Sequence, residues 1–348
     1  MKNYFFTIIS FLCLFSCNQK KNNTSKDWVH ISQNVSYQKD KDFFYLKSGK
    51  FSYQIKNSDL PFKKVILLNS SLLGYVEALN SESKIIGVSS PEYIYSEKIK
   101  DLINSREIED VGNEQKYDIE KIITLKPDVI FTNYVPSFEN TYNLLRKNRI
   151  TIIFFDEYLE QNPLEKSAYI KVFGELLGKV SESEKVYSEV ENTYDIVRNF
   201  ALKSTEKPVV LVNEMYGNEW FLAGGKSNLA KFIKDAHATY ILTDNQESKG
   251  VPLSFEEVFV KAKDAKYWVN VSNHLEKKEL LQINPSYAKM NVFNLGDLYS
   301  ITGKINGKSN DYFESGVVRA DLVLKDYIKI FHPELLSDYT LTYMKKLK

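Results

Sequence analysis

The side chains able to do chemistry are scattered along this sequence. Four histidines, His30, His237, His274 and His332, stand far apart. A zinc or manganese site needs histidines and carboxylates grouped at short spacing, so no metal centre is expected. His332-Pro333 follows a helical stretch and reads as structural. Gly224-Gly225-Lys226-Ser227 has the tail of a phosphate-cradling loop without its earlier glycine, and reads as a turn into a helix. There is no Gly-x-Ser-x-Gly elbow and no Ser/His/Asp grouping in usable context. No catalytic residue, enzyme activity or resident cofactor is therefore expected.

Cys17 is the one nucleophile with a context. Lys2 opens the chain and an apolar run, Tyr4 to Phe15, follows. That run suits a signal-peptide core and is too short to span a bilayer as a helix. Leu14-Phe15-Ser16-Cys17 resembles a lipobox, so residues 1–16 are expected to be removed and the Cys17 thiol to take a diacylglycerol. Each buried acyl methylene contributes roughly 0.8 kcal/mol, enough for several chains to hold a protein to a membrane. The alternative is an ordinary secretory signal with an incidental cysteine. Cys13 falls inside the leader, so no disulfide is expected. Residues 17–27 carry a polar spacer, Asn18 to Lys26. No acidic run of the kind found on surface-exported lipoproteins follows Cys17, which favours a periplasmic, lipid-anchored location.

Charge excludes one class of partner. The chain has 46 basic and 45 acidic side chains, with Lys2 lost in the leader. Nucleic-acid binders show a basic excess, and none is present. Tyr and Phe number 23 and 21, more than a core alone needs, so some are available to line a ligand site.

The elements alternate along the chain. Residues 28–60 read as a β-hairpin extension, Phe43–Leu46 and Phe51–Ile55 around a turn with Gly49. From 61 to 163 strands at Val65–Leu68, Ile85–Val88, Asp128–Phe131 and Thr151–Phe155 alternate with helices, one starting behind Asp118 as N-cap. Residues 164–204 read as connecting helices, Glu165–Leu177 and Ser181–Leu202, with a capping box at Ser181–Glu184. The second helix would span roughly 33 Å. Alternation restarts over 205–348, with strands Val209–Val212, Trp220–Ala223 and Tyr267–Val271 and a last helix over Tyr312–Phe331. The pattern predicts an α/β fold of two Rossmann-like lobes joined by a single long helix.

Two passages echo each other. Tyr117–Ile123 leads to Lys126–Phe131, and Leu253–Phe259 leads to Lys263–Val269. Each places a capping residue, an apolar residue and a glutamate before a short helix and a strand. With IEKIITLKPDVIF in the first half and LSFEEVF in the second, residues 63–335 resemble the helical-backbone class of ABC-importer substrate-binding proteins. These carry ferric siderophores, haem and cobalamin. Asn310–Arg319 and Ile330–Leu336 are similar to a Bacteroidetes lipoprotein branch of that class. Lys263-Asp264-Ala265 departs from the Pro-Asp pair more usual there.

The resemblance implies roles. Glu120 and Glu256 would dock on arginines of a permease dimer coupled to its ATPase; the plainer reading is a pair of first-turn glutamates facing helix dipoles. The ligand would lie between the lobes, over the carboxyl ends of the strands. There Tyr93, Tyr95, Tyr134, Tyr158, Tyr216 and Trp220 are placed to stack on it, and Lys226 and Arg319 to pair with an anionic chelate. Arg319 is equally able to satisfy a helix or pair with Glu314. The expected ligand is an iron chelate, siderophore-type or haem, with a corrinoid as the alternative. A periplasmic enzyme on the same fold and a carrier of protein partners are the other classes.

Overall fold

The apolar runs of the first half are strands because they are buried on both sides. The computed structural model describes residues 27–113 and 115–348, so the leader, Cys17 and the spacer to residue 26 lie outside the described residues. Five strands form the first sheet in the order Thr151–Phe154, Val129–Thr132, Val65–Leu67, Ile85–Val88, Glu109–Asp110. All pair in parallel. Val65, Leu67, Val129, Phe131 and Ile153 enter one apolar cluster, and Ile66, Ile130, Ile152 and Phe154 enter the other. Covering both faces is what a parallel sheet requires.

The second sheet runs Thr239–Tyr240, Val209–Val212, Ala265–Val269, Asp297–Ser300, Lys345–Lys346. The first four are parallel and the last is antiparallel. The lobes share an architecture but differ in strand order. In the first, two later strands lie on each side of Val65–Leu67; in the second, one lies on one side of Val209–Val212 and three on the other. The echo is therefore local. Each capped helix, Ile119–Leu125 and Phe255–Lys261, leads into the strand that pairs with its lobe's first strand.

Three expectations from the sequence are corrected. Trp220–Ala223 does not join the parallel sheet; strand Glu219–Ala223 pairs antiparallel with Met215–Tyr216 and Gly250–Leu253. The capping box at Ser181–Glu184 does not form. Gly178, at φ 71°, ends helix Pro163–Leu177, and the next helix starts at Val180 behind Lys179 with no side-chain cap. Ser183 turns inward instead, donating to the Val180 carbonyl at 2.8 Å. The last helix spans Ala320–Phe331, and residues 311–317 form two short 3-10 turns, the first capped by the Asn310 side chain.

The connecting helix Val180–Ala201 is 22 residues long. Val190, Tyr194, Val197 and Ala201 pack into the second lobe's core, and Val186 and Tyr187 pack against the first lobe's. A second crossing reinforces it. Val317 and Val318 are buried in the first lobe's cluster. Gly74 permits this approach, since a Cβ there would overlap the Glu314 carbonyl oxygen.

The hairpin Phe43–Ser48 and Phe51–Lys56 belongs to a four-stranded antiparallel sheet with Val29–His30 and Val35–Lys39. It is fastened to the first lobe at three points. Ser32 Oγ donates to Glu160 at 2.6 Å, the Phe154 N–H donates to the Tyr53 hydroxyl at 2.9 Å, and Lys39 pairs with Glu175. Among the described residues no helix is long and apolar enough to cross a membrane.

Candidate functional site

Parallel strands leave their carboxyl ends open where the order of the sheet reverses, and ligands collect there. In the first lobe Asn69 follows Val65–Leu67, Ser89 follows Ile85–Val88, Asn133 follows Val129–Thr132, and Glu157 follows Thr151–Phe154. The side chains of Asn69, Asn133 and Glu157, with Ser71, form a bonded floor. Asn69 Oδ1 accepts from the Ser71 N–H at 2.8 Å, and its amide group donates to Asn133. Asn133 Nδ2 donates to Glu157 at 3.0 Å, and Ser71 Oγ donates to the other Glu157 oxygen at 2.8 Å. Every member is fixed by another, which preorganises the wall.

A cavity of ≈ 670 Å³ opens above this floor, within the range of about 300–1,000 Å³ usual for small-molecule sites. The first lobe contributes Asn69, Ser70, Ser89, Ser90, Glu92 and Tyr93, and the hairpin tip at Asn113 and Gln115. Ser90 sits at φ 50°, a left-handed conformation costly for a serine and held here by the wall. The second lobe contributes Asn273, Lys308, Asn310 and Phe313. Asn310 Nδ2 donates to the Ile301 carbonyl at 2.8 Å, and its Oδ1 accepts from the Tyr312 N–H at 3.0 Å. Each lobe offers one exposed aromatic ring, Tyr93 at 49% and Phe313 at 51% of full exposure. Lys308 Nζ lies 5.7 Å from the Tyr93 ring centroid. A larger groove of ≈ 1090 Å³ lies at the other end of the first lobe, by Lys63, Asp128 and Arg149, where strands begin.

The residues singled out in the sequence separate. Of the six aromatics, Tyr93 lines the cleft. Tyr95 gives its backbone N–H to Glu314 at 2.7 Å and is partly buried. Tyr134 packs against Phe51 and Phe154 with Lys50 over its ring at 3.9 Å, so its face is already taken. Tyr158 is exposed beside the half-buried Asp156, whose carboxyl burial pushes upward in pKa. Tyr216 is 83% exposed on the small antiparallel sheet and does not line the cleft. Trp220 is corrected outright. It is fully buried, its indole N–H donates to the Val212 carbonyl at 3.1 Å, and Trp268 lies 5.2 Å away. Lys226 is exposed and away from the cleft. Arg319 pairs not with Glu314 but with buried Asp321, at 2.8 and 2.7 Å.

Asn113, Gln115, Asn273 and Lys308 are cleft residues the sequence reading missed. One of the three segments was detectable in principle: Asn306-Gly307 marks a hairpin whose turn brings Lys308 to the opening. A further polar group, missed too, stands at the strand ends of the second lobe. His274 lies 3.1 Å from Glu214 and 3.3 Å from Glu279, and the Glu214 bond raises its pKa. Among the described residues no group of three or more side chains has metal-holding geometry.

Glu120 and Glu256 occupy the same place on their helices. Each is the second residue, exposed, behind an N-cap: Asp118 accepts from the Lys121 N–H at 3.0 Å, and Ser254 from the Glu257 N–H at 3.3 Å. In the second helix the capping box uses Glu257, whose carboxylate accepts from the Ser254 N–H at 2.8 Å. Glu256 is left unengaged by it.

Comparison with known proteins agrees with this architecture. An uncharacterized lipoprotein of Methanocaldococcus jannaschii is 26% identical over 297 residues, covering 82% of this chain and 69% of that protein. A periplasmic haem-binding protein of Pseudomonas aeruginosa superposes with TM-score 0.61 at 17% identity, covering 82% of this chain and 98% of that one. A possible iron-binding periplasmic protein of Staphylococcus epidermidis gives TM-score 0.61 at 17% identity, covering 78% and 99%. A protein of an Fe3+-hydroxamate transport system from Saccharomonospora viridis gives 0.58 at 15%, covering 81% and 96%. Residues 65–304, reaching from the first strand of one lobe past the fourth of the other, match the family described as periplasmic binding protein. Members of this family work with ABC permeases and ATPases and bind metal chelates. Two parallel-sheet lobes, a connecting helix and a cleft at the strand ends thus belong to a chain that is a member of the periplasmic binding protein family.

Proposed function

We propose that this protein captures an iron chelate, of the siderophore or haem kind, between its lobes and hands it to an ABC permease dimer powered by its ATPase. The observation that carries this reading is the ≈ 670 Å³ cleft at the carboxyl ends of both sheets, with one exposed aromatic ring from each lobe. The chemistry is reversible binding. The floor is held by its own hydrogen bonds, and the lobes are joined by a packed helix and by Val317 and Val318, so the cleft needs little reordering to bind. Glu120 and Glu256, on rigid helix starts in separate lobes, are suited to set orientation on a two-subunit permease. Lipid on Cys17 would keep the carrier at the membrane; similar proteins named as lipoproteins support this.

A corrinoid is the second reading. The exposed amides of Asn113, Gln115 and Asn273 favour it, because they match a ligand with many peripheral amides. The test is fluorescence quenching of the acyl-free mature chain by ferric siderophores, haem and cobalamin. Saturable quenching by one of them at micromolar concentration is expected. Failure of all three ends the carrier reading.

A further inference from the structure

The charges around the cleft do not suit an anion. Among the described residues two ionic side chains line it, Glu92 and Lys308, of opposite sign. The other polar lining groups are amides and hydroxyls. The cations that would recognise a polyanion are engaged or elsewhere. Arg319 is forked onto Asp321 and faces Glu189 at 3.6 Å. Lys226 is on the surface away from the cavity. Lys166 faces a separate small cavity of ≈ 100 Å³ behind Phe313; burial lowers its pKa, and Glu157 opposes that.

Acidic groups stand close behind both walls. Glu157 is buried in the first-lobe floor, next to the half-buried Asp156. In the second lobe His274 is flanked by two glutamates, one of which, Glu214, has an oxygen buried without a partner. An anionic ligand would lose its hydration here without gaining an arginine fork, and would meet carboxyl groups of its own sign.

We infer that the ligand carries no net negative charge: it is an uncharged or cationic metal chelate whose periphery presents carbonyl, amide or hydroxyl groups. The exposed Gln115 amide can donate and accept, and the Asn113 and Asn273 amide N–H groups can donate, so such a periphery meets partners from both lobes. Tyr93 and Phe313 supply apolar faces from opposite lobes. This rests on the carrier reading above and narrows the ligand within it.

The experiment titrates the acyl-free mature chain, by intrinsic fluorescence, with four probes. Two are uncharged, a ferric trihydroxamate and cyanocobalamin; two are anionic, a ferric tris-catecholate and haem with its propionates. An uncharged probe is expected to bind at least about 100-fold more tightly than either anion. Its Kd should change by less than about twofold between low and high salt. If an anion binds tightest and loses about tenfold or more in affinity with Lys308→Gln or rising salt, the charge inference is overturned and the carrier reading stands. If no probe binds, both are overturned.

Discussion

Glu314, from the loop ahead of the last helix, reaches across to the first lobe and hydrogen-bonds Glu77. Its two oxygens accept the Tyr95 and Ser96 N–H groups at 2.7 and 2.9 Å, at the start of helix Glu97–Asn104. Ser96 Oγ also donates to Glu77. Two carboxyls this close, and this far from water, cannot both ionise freely.

The pair makes stability depend on pH. Burial, with Glu77 adding to it, pushes Glu314 from 4.5 up to about 8, and burial raises Glu77 as well. Below 4.5 both folded and unfolded chains hold the Glu314 proton. Between 4.5 and about 8 the unfolded chain releases it while the folded chain keeps it, so stability falls as pH rises through that window. The difference between wild type and Glu314→Gln isolates this group from the other titrations. The variant is expected to lose less stability from pH 5 to pH 9, by on the order of 4 kcal/mol at most. Thermal melts across that range check it; parallel melting curves for the two proteins would remove Glu314 as the cause.

The neighbouring glutamates of the second-lobe helix should act differently. Glu256→Arg together with Glu120→Arg is expected to abolish uptake in cells while leaving ligand affinity unchanged. Glu257→Ala removes the capping-box acceptor and should lower stability by about 0.5–1 kcal/mol, with uptake intact. Radiolabelled uptake and equilibrium binding on the same variants separate docking from capping. Lost ligand affinity in the double reversal would count against a docking role.

Gly74 sets how closely the lobes meet. Gly74→Ala drives a methyl group into the Glu314 backbone carbonyl and should destabilise by about 1–3 kcal/mol. Gly250→Ala, where a Cβ meets nothing within 4 Å and φ is not left-handed, is the comparison without a clash. Chemical denaturation of both variants measures the difference. Equal losses would mean that contact with Glu314 contributes nothing.

Two aromatics should divide between stability and binding. Trp220→Ala is expected to cost about 3–5 kcal/mol, as for a large buried ring. Tyr93→Ala should leave the melting temperature nearly unchanged and weaken ligand by about tenfold, as loss of a stacking face would. Melting and titration of both variants test the assignment; a stable Tyr93→Ala with full affinity would take that ring out of the site.

The architecture was legible where the signal was local. Val65–Leu67 and Val129–Thr132 are apolar on both faces, and Asp118 and Ser254 announce their helices. The equivalence of Glu120 and Glu256 followed from those caps. The cleft was less legible because an aromatic after a strand can face core, solvent or ligand. Tyr93 and Trp220 differ in this, and only long-range packing, such as Trp268 against Trp220, decides it. Glu314 was named in the sequence solely as a partner for Arg319. Its actual partners, Tyr95, Ser96 and Glu77, lie more than 200 residues away, beyond the reach of any local pattern.

The small sheet ahead of the first lobe has a consequence for crowding. Strand Thr151–Phe154 is the outer strand of its sheet, and one of its N–H groups, that of Phe154, is spent on the Tyr53 hydroxyl. A bare outer strand is a template on which another copy can zip, backbone to backbone. Phe51 and Tyr53 finish that border as a hem finishes cloth. That border is thereby a poorer template for a second copy packed alongside.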